Sequence, residues 1–335
     1  MTKNLKIVLT GGAGFIGSHA YVDLVGQGYN PIIVDNFSNS KKDVLERLKK
    51  ITNNEVIYYS CDCADNEALG DIFKKENPGA VMHFAALKSV SESQDLSLLY
   101  YRNNINSLIS VLESMKLNNC KNIIFSSSAT VYSKNNDLPL KEDSLLGYTN
   151  PYGHTKLICE QIIQEFCKLN KIKYGILRYF NPVGAHESGL IGEDPQGIPN
   201  NLMPFVALVA KGQIDEVNVY GNDYDTPDGT GIRDYIHISD LISGHTSSLS
   251  YLEKNNQSHI INLGTGVGYS VLDLINSYSI ASNKEIQINF KPRREGDIAS
   301  CYADNRKAKE ILGWTPSYSL HDMCSSSWRW ISNND

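Results

Sequence analysis

The sequence of 335 residues is 41% hydrophobic and 20% charged, and it carries a formal net charge of -6. This composition is ordinary for a globular protein with one large domain or two, and it shows no electrostatic footprint for nucleic acid. The sequence has neither a long apolar run nor a signal segment, and its seven cysteines without a Cys-x-x-Cys pair are typical of reduced thiols. We therefore expect a cytoplasmic protein without a membrane span, a nucleic-acid partner or a metal site.

The first predicted element is a buried strand over residues 5–10, which runs into a glycine-rich loop over residues 11–17 and then a helix. Glycines let the backbone approach a pyrophosphate, and the helix N-terminus offers unpaired N–H groups. The next strand ends in Asp35, about 20 residues beyond the glycines, where a carboxylate can bind ribose hydroxyls. Such an acid is also a common strand-end cap, but beside the glycine loop it predicts NAD rather than NADP, because it would repel a 2′-phosphate.

Predicted strands at residues 56–59, 80–84, 123–125 and 175–178 alternate with helical stretches. This alternation predicts an α/β fold, a Rossmann-type doubly wound parallel sheet, in which ligands bind at the carboxyl ends of the strands. Asp35, Asp62, Phe84 and Ser128 fall at such ends. We interpret His83, inside an apolar strand, as a core residue. A cofactor domain over residues 1–180 and a smaller mixed α/β substrate domain over residues 181–335 are predicted, with residues near 233–262 returning to the first.

A tyrosine and a lysine stand four residues apart in Tyr152-Gly153-His154-Thr155-Lys156, directly after Asn150-Pro151 and before an apolar stripe. This spacing predicts that both side chains lie on one face near the start of a helix. A nearby ammonium lowers the pKa of a phenol, so Tyr152 is a candidate base. With 19 tyrosines, one such pair also arises by chance. The serine run ending at Ser128 is either a polar turn or the source of a hydroxyl that shares a proton with Tyr152.

Two later stretches, residues 181–201 and 221–231, are rich in glycine, proline and asparagine. Long irregular segments in a compact chain are usually functional or disordered, and the patterns that resume after each favour ordered binding loops. Arg233 and the pair Arg293-Arg294 are candidates to hold a phosphate, with surface arginines as the alternative.

Together these segments resemble the extended short-chain dehydrogenase/reductase family, and within it the branch that epimerises UDP-hexoses at C4. The resemblance is carried by residues 11–17, 84–88, 126–132, 150–156, 178–186, 200–204, 221–224, 229–237 and 292–297. It implies NAD-dependent interconversion of UDP-galactose and UDP-glucose through a 4-keto sugar. Tyr152 would remove the 4-hydroxyl proton, Lys156 would keep Tyr152 ionised, and Ser128 would bond the reacting oxygen.

The resemblance also implies two sets of contacts and a homodimer, which would pair the helix after Tyr152 with the helix near Asn103. The implied cofactor contacts are Gly11, Gly14, Phe15, Ile16, Gly17, Asp35, Asn36, Phe37, Ser38, Asn39, Ser40, Asp62, Cys63, Phe84, Ala85, Ala86, Leu87, Lys88, Asn103, Ser126, Tyr152, Lys156 and Phe180. The implied UDP-sugar contacts are Lys88, Ser128, Tyr152, Tyr179, Asn181, Asn201, Leu202, Asn218, Val219, Tyr220, Arg233, Arg294, Asp297 and Cys301.

Two positions depart from the family pattern. Ala86 stands where the family usually has glycine, which bears on the backbone fit beside the nicotinamide. Cys301 stands where some epimerases have a tyrosine that crowds the sugar 2-substituent, so we predict that N-acetylated UDP-hexoses are also accepted.

Two other functions fit the same fold. A nucleotide-sugar 4,6-dehydratase or decarboxylase would need an acid/base pair beside the tyrosine, whereas Ala129-Thr130 after Ser128 contains no carboxylate. A non-catalytic cofactor-sensing protein would have little use for Tyr152, Lys156 and Ser128 together.

Overall fold

The computed structural model describes residues 4–334, apart from positions 196, 198, 200 and 295. Asn200 and Glu295, which belong to two of the motifs above, therefore lie outside the described residues. None of the helices in these ranges combines the length and the apolar character needed to cross a membrane.

The strands of the described chain are β1 (Lys6–Thr10), β2 (Asn30–Asp35), β3 (Tyr58–Ser60), β4 (Ala80–His83), β5 (Asn122–Ser128), β6 (Lys173–Tyr179), β7 (Asn181–Val183), β8 (Val217–Tyr220), β9 (Ile232–Arg233), β10 (Tyr235–His237), β11 (His259–Leu263), β12 (Tyr269–Ser270), β13 (Ile288–Lys291) and β14 (Ser300–Cys301). Seven of them form a parallel sheet at the centre of the described chain, in the order β11-β6-β5-β4-β1-β2-β3. The predicted doubly wound sheet is confirmed.

Helices cover both faces of this sheet, because each buries an apolar stripe against the strands. The helices are α1 (Phe15–Gly26), α2 (Asp43–Thr52), α3 (Asn66–Glu76), α4 (Val90–Asp95), α5 (Ser97–Leu117), α6 (Pro151–Asn170), α7 (Leu202–Ala210), α8 (Ile238–Asn255), α9 (Val271–Ser282), α10 (Arg306–Leu312) and α11 (Leu320–Asn333). On one face of the sheet the core joins α1 and α8 to β1 and β6, and on the other it joins α3, α5 and α6 to β4 and β5.

Small sheets and a separate core occupy much of the later chain. Strand β8 pairs with β13, β7 pairs with β10, and β9 lies between β12 and β14. A third apolar cluster joins α7, α9 and α11, with Val206, Tyr278 and Met323 among its buried members. Strand β11 instead pairs with β6 at the edge of the large sheet. The boundary at residue 180 stays a prediction.

The order of the strands places the crevice between β1 and β4, which are neighbours although they are not consecutive in the chain. The glycine loop follows β1 and residues 84–88 follow β4, so both lie at the same carboxyl edge. The glycine loop and the loop after β4 approach each other closely. A Cβ on Gly11, whose φ is +68°, would lie 2.8 Å from the backbone nitrogen of Ala85. Glycine is needed here for both its conformation and its size.

Most strands differ from their predicted bounds by one to three residues, and the reason is visible in β5 and β3. Strand β5 continues through the serine run to Ser128, because these residues pair with β6 up to Tyr179. Strand β3 begins two residues later than predicted, at the sheet edge, where Ile57 and Tyr58 are exposed. His83 is buried and its Nδ1 lies 2.7 Å from the hydroxyl of Thr10, so its interpretation as a core residue is confirmed.

Candidate active site

Helix α6 places Tyr152 in its first turn and Lys156 one turn later. Pro151 opens the helix, and the Oδ1 of its N-cap, Asn150, accepts a hydrogen bond from the amide of Gly153 at 2.8 Å. Ser128 at the end of β5 is close enough to the phenol of Tyr152 for hydrogen bonding between them to lower the pKa of that phenol. The structure thus brings the three predicted catalytic residues together.

The hydroxyl of Ser128 is oriented by its neighbour. Its Oγ accepts hydrogen bonds from the amide and the hydroxyl of Thr130, at 3.2 and 3.0 Å. Because its acceptor positions are occupied in this way, its proton is available to donate to the oxygen of Tyr152.

The electrostatics of this group differ from the sequence prediction. Burial raises the pKa of Tyr152 to about 12, and the hydrogen bond from Ser128 acts in the opposite direction. The Nζ of Lys156 lies 5.8 Å from the centre of the tyrosine ring and donates a hydrogen bond to the carbonyl of Ser126 at 2.7 Å. Burial also lowers the pKa of Lys156 to about 8. The expectation that the lysine lowers the phenol pKa in the chain alone is wrong, because desolvation of the phenolate dominates.

A buried ion pair between Glu160 and Arg178 lies next to the catalytic residues, and the sequence analysis missed it. Glu160 accepts hydrogen bonds from the Nε and Nη2 of Arg178, at 3.0 and 2.7 Å, and from the hydroxyl of Ser127 at 2.5 Å. Successive side chains of a strand point to opposite faces, so Ser127 faces away from Ser126 and Ser128. The ion pair thereby ties the end of β5 to α6 and β6. The one feature of the sequence that points to this ion pair is an acidic residue, Glu160, one helical turn after Lys156.

Asp35 joins the glycine loop to the following turn. Its Oδ2 accepts a hydrogen bond from the amide of Ala13 at 3.0 Å, and its Oδ1 accepts from the amide of Phe37 and the hydroxyl of Ser40, at 2.8 and 2.9 Å. A carboxylate accepts up to about four hydrogen bonds, so capacity remains for ribose hydroxyls. Asp62 lies near this turn, because the Nδ2 of Asn36 donates to it at 3.3 Å.

The start of α1 is shaped for a phosphate group. Its N-cap is Gly14, which has no side chain that could cap the helix. Amides of the first turn are therefore left without a side-chain capping partner in the described chain. A Cβ on Gly17 would collide with the carbonyl oxygen of Gly11 and lie 2.6 Å from the Cα of Gly12. These residues therefore fit a dinucleotide cofactor in conformation and charge.

Asn104 positions the loop after β4. The sequence analysis named its neighbour Asn103 as a cofactor contact but did not name Asn104. Its amide group bonds both the N–H and the C=O of Leu87, at 2.8 and 3.0 Å, and its Nδ2 also donates to the hydroxyl of Thr155 at 3.0 Å. The loop that carries Lys88 is thus fixed relative to α6. Asn103 donates a hydrogen bond to Asn104 at 3.1 Å.

Several predicted UDP-sugar residues contact one another or share a partner. The guanidinium of Arg294 lies over the ring of Tyr220 at 3.8 Å, and Arg233 lies 3.8 Å from a carboxylate oxygen of Asp297. Lys88 and Asn201 both contact Glu193. The side-chain oxygen of Asn218 is buried without a hydrogen-bond partner among the described residues.

Three predicted residues are held inside the protein. Tyr179 is buried, with its phenol oxygen 2.5 Å from the Nε2 of His245. Cys63 and Phe180 are also buried, in two different apolar clusters. In this structure each of them packs in the apolar interior.

Comparisons with known proteins bear on the whole chain. A family model described as GDP-mannose 4,6 dehydratase matches residues 8–327. The UDP-glucose 4-epimerase of Bacillus subtilis is 49% identical over 98% of both chains, and that of Homo sapiens is 49% identical over 98% of this chain and 97% of its own. The crystal structure of UDP-glucose 4-epimerase from Bifidobacterium longum in complex with NAD+ and UDP has a TM-score of 0.94 and 48% identity, over 98% of both chains.

The chain belongs to the UDP-glucose 4-epimerase family.

Membership of this epimerase family confirms the resemblance seen in the sequence. The family model is named for a dehydratase, but relatives that match at about half of all positions over nearly the full length are epimerases. The matched region spans both the glycine loop and the later segments with Arg233 and Arg294. The whole crevice, and not the cofactor fold alone, therefore falls within the similarity.

Proposed function

We propose that this protein is an isomerase that interconverts UDP-galactose and UDP-glucose with tightly bound NAD. The observation that carries the proposal is the grouping of Ser128, Tyr152 and Lys156 at the carboxyl edge of the sheet, across from the glycine loop. The similarity to epimerases over 98% of the chain supports the same reaction.

The start of α1, Asp35 and Lys156 would hold the dinucleotide. The amides at the helix start would bind its pyrophosphate, and the Asp35 carboxylate would accept hydrogen bonds from hydroxyls of the adenosine ribose. Lys156 has three donors and uses one on Ser126, so the others are available to the nicotinamide ribose. When bound, NAD supplies the acceptor and donor of the hydride at C4, and its oxidised ring adds a positive charge that favours a phenolate nearby.

Tyr152 acts as the base that takes the proton of the sugar 4-hydroxyl and later returns it. Its raised pKa means that the chain alone holds it protonated, so the base is generated only in the loaded site. Ser128 donates a hydrogen bond to the reacting oxygen. Lys156 carries its positive charge below its pKa of about 8, and above that pH the ammonium loses its proton.

The nucleotide half of the substrate is held by cations on the later part of the chain. Arg233 and Arg294 are assigned to the diphosphate, since guanidinium groups bind phosphate oxygens in a fixed geometry. Asn218 supplies a buried acceptor that lacks a described partner. Because the hexose can turn about its link to the diphosphate, it can present either face to the base.

N-acetylated UDP-hexoses are proposed as further substrates. Cys301 belongs to β14, beside Phe180 and Ala303 in a small apolar cluster, and its side chain is much smaller than a tyrosine. The room beside the sugar 2-substituent is therefore larger than in an epimerase with tyrosine at this position. Turnover of UDP-N-acetylgalactosamine tests this, and its absence beside good turnover of UDP-galactose would refute it.

A cytoplasmic homodimer is part of the same proposal. Leu98 and Leu117 of α5 and Leu169 of α6 are exposed by 77%, 80% and 80%, on the two helices that would form the interface. Apolar side chains exposed on neighbouring helices favour association with a second copy. Sedimentation at micromolar concentration measures the state, and a monomer would contradict the proposal.

The deciding assay converts UDP-galactose to UDP-glucose without added cofactor and without net formation of NADH. A 6-deoxy-4-keto product would instead indicate a dehydratase. The structure gives no support to that alternative, because Thr130, two residues beyond Ser128, bonds the serine and offers no carboxylate.

A further inference from the structure

Glu193 lies between two residues, Lys88 and Asn201, that the family resemblance assigns to the UDP-sugar. Its Oε1 accepts a hydrogen bond from the Nζ of Lys88 at 3.0 Å and another from the Nδ2 of Asn201 at 2.8 Å. Lys88 follows β4 of the large sheet, whereas Asn201 is the N-cap of α7 in the later part of the chain. One carboxylate oxygen therefore joins the two sides of the crevice.

The carboxylate is the more firmly held member of the ion pair. The side chain of Glu193 is 10% exposed and that of Lys88 is 50% exposed. The backbone carbonyl of Glu193 accepts a hydrogen bond from the indole of Trp330 at 3.3 Å. Glu193 is thus held at its backbone and offers a fixed acceptor to a lysine that would otherwise move.

Both partners keep donors for a ligand. A lysine ammonium has three N–H donors and an asparagine amide has two, and each uses one on Glu193. The bond to Glu193 fixes the direction of the remaining donors. Holding a long, half-exposed side chain in one rotamer before the ligand arrives removes an entropy cost that binding would otherwise include.

We propose that Glu193 is a positioning residue of this site, which directs Lys88 and Asn201 toward the nucleotide sugar and holds the two sides of the crevice together. The inference rests on the proposed function, which supplies the ligand. Glu193 acts through its two partners, so its loss should weaken substrate binding more than it slows the chemical step. A half-exposed ion pair contributes little to folding, so the melting temperature should change little.

The test compares Glu193→Ala and Glu193→Gln with a matched control, Asp194→Asn. The control removes the adjacent acidic charge and the ion pair with Lys41, but it leaves the bonds to Lys88 and Asn201 in place. For each NAD-loaded protein, calorimetry gives the Kd of UDP-glucose, steady-state assays give KM and kcat for UDP-galactose, and thermal unfolding gives Tm.

We expect Glu193→Ala to raise both Kd and KM about 10-fold while kcat stays within about 2-fold. Glu193→Gln keeps an acceptor oxygen but loses the charge, so an increase of about 3-fold is expected. Asp194→Asn should stay within about 2-fold of the unaltered protein. An unchanged or lower Kd in Glu193→Ala would overturn the proposal, as would an equal effect of the control.

A double variant separates positioning from general loosening. In a Lys88→Met background one of the two partners is already lost, so Glu193→Ala should raise Kd by only about 3-fold. A full 10-fold rise in that background would contradict action through Lys88. If the unaltered protein binds UDP-glucose but does not convert UDP-galactose, the proposed function fails. The Kd of UDP-glucose in the variants relative to the unaltered protein still tests the role of Glu193. If it does not bind UDP-glucose, both proposals fail.

Discussion

Replacing Glu160 by glutamine perturbs the ion pair that lies behind the catalytic residues. The side chains of Arg178 and Glu160 are 2% and 1% exposed, and three hydrogen bonds converge on the glutamate. Removing one partner of a buried pair leaves an uncompensated charge and typically costs about 3–5 kcal/mol. Glutamine keeps one acceptor oxygen, so we place Glu160→Gln at the lower end, about 3 kcal/mol.

For a chain of this length the entropy of unfolding is about 0.7 kcal/mol/K, so this loss corresponds to a Tm about 4 °C lower. Thermal unfolding of the NAD-loaded protein measures it. Glu165→Gln is the matched control, because Glu165 is an exposed acid on the same helix. Its Tm should stay within about 1 °C.

The paired variant Glu160→Gln/Arg178→Met tests the reason for the loss. With both ions removed no buried charge is left unpaired, so this protein should be more stable than Glu160→Gln alone. The pair does not act as an electrostatic unit if Glu160→Gln has the same Tm as its control Glu165→Gln. The same conclusion follows if the decrease in Tm of the paired variant equals the sum of the decreases in the two single variants.

Three further changes probe the glycine loop, the substrate pocket and the buried His83. Gly17→Ala should purify with little NAD, because its Cβ would collide with the carbonyl of Gly11, whereas a Cβ on Gly26 in the same helix meets no described atom within 4 Å, so Gly26→Ala should retain NAD; equal NAD content in both would contradict this. Cys301→Tyr should abolish turnover of UDP-N-acetylgalactosamine and preserve that of UDP-galactose, and equal losses would refute a steric cause. Burial lowers the pKa of His83 to about 3, so between pH 6.5 and 3 the unfolded chain binds a proton that the folded chain does not, and stability falls as the pH falls. Urea unfolding at pH 6.5 and 5 should show His83 accounting for about 2 kcal/mol of this loss, which His83→Gln should remove; an unchanged pH dependence would contradict it.

Local patterns account for the features that the sequence predicted well. The cap, the proline and the four-residue spacing of Tyr152 and Lys156 are all set within one helix, so they can be read from neighbouring residues. The glycine loop and Asp35 are likewise fixed by strand ends. The family resemblance then supplied roles that spacing alone leaves open.

Features that depend on tertiary packing were missed. Glu160 and Arg178 are 18 residues apart and meet only because α6 packs on β6. The two contacts of Glu193 require the two sides of the crevice to meet. The direction of the shift in the pKa of Tyr152 depends on how deeply the phenol is buried, which no local pattern records.

The most direct measurement is the turnover of UDP-galactose by the NAD-loaded protein beside its Tyr152→Phe variant. Phenylalanine keeps the ring and removes the oxygen that Ser128 bonds, so kcat should fall by about 10²–10⁴-fold while NAD content and the Kd of UDP-glucose stay within about 2-fold. Tyr148→Phe is the control, because this exposed tyrosine stacks on His154 outside the catalytic group and its loss should leave kcat unchanged. Undiminished epimerisation by Tyr152→Phe would show that another group takes the proton.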